Sequence, residues 1–133
     1  PALANRQDLS LHFIFSAAIK LMSEKGISIA VGEFKELMDR RQGGSGYSFV
    51  DLAADLSGTH FADIAVNPKH AQNVQQIMAS SNSEHLFMVS IEELDEGLNK
   101  EAFSSKYTGV DSPEYQQVVS EINKRISNLP ISQ

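Results

Sequence analysis

Cysteine is absent from the 133 residues of this chain. Without thiols the chain cannot build a disulfide framework, a cysteine nucleophile or a thiolate zinc site. The absence leaves the cellular compartment open, because a periplasmic protein of this size can fold without disulfides. It does narrow the chemistry of any site to carboxylates, hydroxyls, amines and imidazoles.

Positive charge is scarce as well. Lysine and arginine together number 11 against 17 aspartates and glutamates, which gives a formal net charge of −6. The only adjacent basic pairs are Arg40-Arg41 and Lys124-Arg125. Because nucleic-acid binding depends on basic surfaces that neutralise phosphates, the sequence predicts no nucleic-acid partner.

A long hydrophobic run is the third absence. The most apolar stretch, Leu11–Met22, is interrupted by His12, Ser16 and Lys20. It is about half of the roughly 20 apolar residues that a membrane-spanning helix needs. The stretch therefore predicts a buried core helix, and the chain is expected to contain no transmembrane span.

The patterns that are present predict a single all-α domain over residues 1–133. Apolar residues recur at helical spacing, as Leu9, Phe13 and Ala17 do in the first segment, and no strand-length alternation stands out. We expect a motif-bearing helical core over residues 8–66 and accessory helices over residues 67–133. A glycine-rich loop separates the second and third helices, and a small β-hairpin around residues 44–49 is the one β element expected. The predicted helices cover residues 8–24, 29–40, 48–65, 69–80, 99–107 and 113–128.

Acidic residues surround that glycine-rich loop. Gly43-Gly44-Ser45-Gly46 can turn sharply and let backbone N–H groups approach a ligand, because glycine adopts positive φ without steric cost. The stretch from Gly32 to Gly58 therefore predicts a site without naming its reaction. Its acidic members are Glu33, Glu36, Asp39, Asp51 and Asp55.

Several of these residues have a purely structural explanation. Ser48-x-x-Asp51 forms a capping box, and Glu36 can pair with Arg40 one turn later. Asp55 has no such role, although it stands one turn beyond Asp51, where like charges cost a few tenths of a kcal/mol. His12 lies in an apolar helix, and the ordinary interpretation is a core histidine that bonds a backbone carbonyl.

Three motifs in order resemble the YfiM-type family of bacterial envelope lipoproteins and, more loosely, the signature of VanZ-like proteins. The resemblance covers residues 8–58, and it implies a periplasmic or envelope-associated location and a shared polar cluster, but no settled activity. The cluster comprises His12, Glu36, Asp39, Ser48, Asp51 and Asp55. The motifs are Asp8-x-x-x-His12-Phe13, Lys35-Glu36-Leu37-x-Asp39 and Gly44-Ser45-Gly46-x-Ser48-x-x-Asp51-x-x-x-Asp55-x-x-Gly58.

One hypothesis for the cluster is carbohydrate cleavage. A helical glutamate, a glycine-rich turn and a second carboxylate are similar in outline to lysozyme-like enzymes. Glu36 would be the general acid, and Asp51 or Asp55 would stabilise the sugar cation or position water. The substrate would then be the glycan strand of peptidoglycan, cleaved by a hydrolase or a transglycosylase.

Two other hypotheses stay open. A site of His12 with carboxylates would suit a weakly held divalent ion, although we predict no metal and no cofactor. Serine hydrolysis is disfavoured, because Ser45 lies outside a G-x-S-x-G elbow and no strand precedes it.

The third hypothesis is non-catalytic: a polar network joins the helices, and the late helices offer a surface to peptidoglycan or an envelope protein. The binding residues predicted are His12, Asp39, Ser45 and Ser48.

Overall fold

A computed structural model describes residues 2–22 and 46–133 of the chain. Within these two ranges the chain forms α-helices and isolated β-bridges but no strand, which confirms the all-α prediction. The second predicted helix, residues 29–40, lies outside the described residues. The helices are α1 Gln7–Leu21, α2 Phe49–Val66, α3 Ala71–Ser80, α4 Lys100–Tyr107 and α5 Pro113–Ser127, with short 3₁₀ turns at Glu84–Leu86 and Pro130–Ser132.

Side-chain caps begin three of these helices. Ser48 Oγ accepts the N–H of Asp51 at 3.0 Å before α2, which confirms the predicted cap. Ser112 Oγ accepts the N–H of Tyr115 at 3.1 Å before α5, and Pro113 occupies the first turn of that helix. Asn99 caps α4 in the same manner. Each cap supplies an acceptor for an N–H group that has no partner inside its helix.

Helices α1 and α2 pack side by side and run parallel. His12 meets Asp55 and Lys20 meets Asp63, so the paired residue numbers rise together along both helices. The two backbones are in close contact at Gly58, where an added Cβ would lie 2.1 Å from the carbonyl oxygen of Phe13. The absence of a side chain at Gly58 therefore brings the two backbones close enough for their polar side chains to meet.

The main core lies against another part of the α2 surface. Phe49 and Ala53 of α2 are fully buried, together with Ile122 of α5. The last 3₁₀ turn adds Ile131, which is 2% exposed. Residues from the second half of the chain thus complete the core around α2, which is the central helix of a single compact helical domain.

The predicted hairpin around residues 44–49 is wrong for the part of that segment that the structure describes. Tyr47 forms an isolated antiparallel bridge with Leu98, with N–O distances of 2.7 and 2.9 Å in the two directions. The bridge partner comes from a distant segment, so no local turn sets its register. Gly46, just before the bridge, has a φ of +88°.

We expect Gly46→Val to destabilise the fold by about 1 kcal/mol or more, because a positive φ strains any side-chain-bearing residue. A Cβ at this position would also lie 2.3 Å from the carbonyl oxygen of Leu98. Thermal melting checks the prediction, with Gly109→Val as the control, since a Cβ there meets no atom within 4 Å. Equal melting of both variants would contradict it. We make the same prediction for Gly44→Val, but Gly44 lies outside the described residues.

Candidate functional site

The site centres on His12 of α1, which lies between two carboxylates of α2. His12 Nδ1 is 2.8 Å from Asp55 Oδ1, and His12 Nε2 is 3.4 Å from Asp51 Oδ2. The side chain of His12 is 7% exposed, that of Asp51 13% and that of Asp55 31%. The imidazole is therefore enclosed between the helices, and the cluster opens toward solvent on the Asp55 side.

The helix geometry explains why these side chains meet. Asp51 and Asp55 are four residues apart, so they occupy adjacent turns on one face of α2. His12 and Ser16 have the same spacing on α1. Ser16 Oγ donates a hydrogen bond to Asp55 Oδ1 at 2.9 Å. Since the two helices are parallel and close at Gly58, the two pairs face each other.

Burial and charge act in opposite directions on His12. Burial lowers the pKa of the imidazole, but hydrogen bonds and charge attraction from Asp51 and Asp55 outweigh this effect and raise the pKa to about 9. His12 is therefore protonated at neutral pH. The positive ring sits between the carboxylates of Asp51 and Asp55 and offsets the repulsion between them.

The raised pKa links the stability of the fold to pH. A histidine whose folded pKa exceeds its unfolded value stabilises the fold fully at pH values below the unfolded pKa. The ordinary pKa is 6.5 and the folded pKa about 9. The contribution of His12 therefore declines as the pH rises through this interval, and it is absent above it.

Tyr47 connects the cluster with the aromatic core beyond the start of α2. Burial, the hydrogen bond with Tyr115 and the charge of Asp55 all raise the pKa of Tyr47. Its hydroxyl is 2.5 Å from the hydroxyl of Tyr115, and its ring packs on Phe49 and Phe103. The chain leading into α2 is thus held by aromatic packing as well as by the bridge to Leu98.

The structure brings together three of the predicted site residues, His12, Asp51 and Asp55. Ser48 is close in sequence but acts as the cap of α2. Ser16 is a member that the sequence analysis missed, although its position one turn after His12 on the same helix face could have indicated it. The remaining predicted site residues, Glu36, Asp39 and Ser45, lie outside the described residues.

A histidine held by a carboxylate is also the arrangement that orients a general base. A base must accept a proton, however, and His12 already carries one at neutral pH. Residues 2–22 and 46–133 contain no group of three or more histidines and carboxylates placed to hold a metal ion. The arrangement is chemically best suited to holding α1 against α2.

Comparison of the chain with models of protein families, with curated proteins and with solved structures finds no match. A separate finding concerns the membrane. Of the helices that the structure describes, none combines the length and the apolar character needed to cross a bilayer.

Proposed function

We propose that this chain is a helical interaction domain of the bacterial cell envelope, and that His12, Asp51 and Asp55 form a structural clamp between α1 and α2. The observation that carries the clamp is the burial of a protonated His12 between two carboxylates of the neighbouring helix. The envelope location rests on the resemblance over residues 8–58.

The energetics of buried charge support a structural role. Removing one partner from a buried ion pair leaves an uncompensated charge, which costs about 3–5 kcal/mol in well-buried cases. Each member of the cluster therefore depends on the others for its place between the helices. Because His12 is on α1 and both aspartates are on α2, the cluster favours one alignment of the two helices.

Digestion of purified peptidoglycan tests this proposal against the catalytic hypothesis. The purified protein is incubated with peptidoglycan sacculi, and soluble muropeptides are measured by chromatography with mass detection. We expect no release above that of buffer, whereas a lysozyme control releases fragments. Co-sedimentation of the intact protein with the same sacculi measures binding without cleavage.

Release of muropeptides by the wild type, and its loss in Glu36→Gln, would contradict the proposal. That result would establish a glycan-cleaving enzyme with Glu36 as the general acid. Glu36→Gln removes a charge at nearly constant size, and a melting curve of the variant shows whether the fold is retained. Arg40 is the structural partner expected for Glu36, so a small loss of stability alone would not support catalysis.

A further inference from the structure

An open cavity of about 260 Å³ lies beside residues 88–92, far in sequence from the His12 cluster. Its floor is apolar and comes from Met88, Val89 and Ile91, of which the first two are 4% exposed. Its rim is polar and includes the exposed side chains of Glu84, His85 and Glu92. We call this feature the 84–92 groove.

The backbone of the groove is held by contacts with other parts of the fold. Arg125 Nη1 donates to the carbonyl oxygens of Ser90 at 2.8 Å and Glu92 at 3.0 Å. Glu84 Oε2 accepts the N–H of Ala4 at 3.0 Å. These contacts fix both ends of the segment, so the groove exists before any partner binds, which reduces the ordering cost of binding.

The carboxylates of the rim lack a positive partner within the part of the chain that the structure describes. Glu84 and Glu92 enter no ion pair there, whereas Arg6, Lys20 and Lys106 are each paired with other acids. The whole chain carries a net charge of −6. Both the local and the total charge therefore attract a cationic group.

The volume of the groove limits what can occupy it. Sites for small molecules usually enclose roughly 300–1,000 Å³, which is more than the groove offers. A single lysine or arginine side chain fits its shape and its chemistry, because the methylene stem can lie on an apolar floor while the charged head stays at a wet rim.

A second cavity favours a peptide over a small amine. It measures about 310 Å³ and lies next along the same segment. It is lined by Glu93, Leu94, Gln117, Val118, Glu121 and Arg125, and Arg125 Nε pairs with Glu121 Oε1 at 3.1 Å. Glu93 forms no ion pair with any described residue. The two cavities meet at residues 92 and 93, and each presents a glutamate that has no ion-pair partner among the described residues, which matches a chain that presents two basic side chains.

We propose that the 84–92 groove docks a basic segment of a partner protein. A lysine or arginine side chain lies on Met88 and Ile91, with its charged head between Glu84 and Glu92, and a neighbouring basic residue reaches the cavity at Glu93. This inference rests on the proposed role as an interaction domain and names the chemistry of its partner.

Nuclear magnetic resonance of the full ¹⁵N-labelled chain tests the proposal with a defined probe. The probe is an acetylated hexapeptide of alternating lysine and leucine, and the matched control peptide carries glutamate in place of lysine. We expect the lysine peptide to shift the amide signals of residues 84–94 and the glutamate peptide to leave them unchanged. The affinity should fall as salt is added, because the attraction is between exposed charges.

Charge-neutralising variants locate the contact. Glu84→Gln and Glu92→Gln should each weaken binding of the lysine peptide by about two- to fivefold, because the loss of one exposed ion pair costs up to about fivefold in affinity. Glu101→Gln is the matched control, since it removes the same charge from an exposed position in α4, and it should leave the affinity unchanged. Melting curves of the three variants confirm that each is folded.

Three outcomes would overturn the proposal: no shifts with the lysine peptide, equal weakening by the Glu101→Gln control, or the same shifts from spermidine at equal concentration. The first shows that the groove is not a docking site, the second that only net charge matters, and the third that the site takes isolated amines. None of them bears on peptidoglycan digestion. Failure of this inference is therefore distinguishable from failure of the proposed function.

Discussion

Gly58→Val is expected to push α1 away from α2 and to cost the fold about 3 kcal/mol or more, at the upper end of what overpacking a core costs. The ideal Cβ at this position would lie 2.1 Å from the carbonyl oxygen of Phe13 and 2.8 Å from its carbonyl carbon. Both are backbone atoms of a helix. No side-chain rotation can relieve the clash, so the helices themselves must separate.

Separation would also break the polar contacts between the helices. The bonds from His12 and Ser16 to Asp55 are 2.8 and 2.9 Å long, and a shift of 1 Å at the contact would lengthen them beyond hydrogen-bonding distance. The expected loss therefore combines overpacking with the desolvation cost of a cluster that is no longer satisfied.

Gly58→Ala separates the steric effect from the helical preference. Alanine stabilises a helix interior by about 1 kcal/mol relative to glycine when nothing opposes its methyl group. A loss of stability in Gly58→Ala would thus identify the contact with Phe13 as the cause. Urea denaturation measures both variants, with Gly109→Val as the control in open space. A Gly58→Ala variant more stable than the wild type would refute the close approach.

The sequence predicted the helix starts well, because caps are local signals. Ser48 and Ser112-Pro113 place the starts of α2 and α5 at the residues where the structure has them. The hairpin prediction failed for the opposite reason. The partner of Tyr47 is Leu98, and a single bridge between distant segments leaves no turn or alternation in the sequence.

The candidate site could be predicted in part. Asp55 stood out because no local role explained it, and the structure places it beside His12. The parallel alignment of α1 and α2 could not be derived from helical periodicity, which gives the buried face of each helix but not its neighbour. The sequence likewise did not reveal that Ile122 and Ile131 are buried in the main core, so residues 67–133 were expected to form accessory helices.

Asp55→Ala is expected to destabilise the fold by about 1–3 kcal/mol, the cost of leaving a buried donor without its acceptor. Asp55 Oδ1 accepts hydrogen bonds from both His12 Nδ1 and Ser16 Oγ. The matched control is Asp63→Ala on the same helix. Asp63 pairs with Lys20 across the same helix interface at 3.3 Å but is 59% exposed, so its loss should cost about 0–1 kcal/mol.

The pH dependence of the difference between Asp55→Ala and the wild type identifies its cause. The variant lacks one of the two carboxylates that raise the pKa of His12, so its ring loses the proton at a lower pH than the ring of the wild type, which does so at about pH 9. Above about pH 9 the ring is neutral in both, so the part of the difference that comes from charge disappears. Urea denaturation at a series of pH values should therefore show a difference that shrinks as the pH rises. A variant as stable as the wild type at neutral pH would argue against the clamp and favour the hypothesis that Asp55 faces an open catalytic cleft.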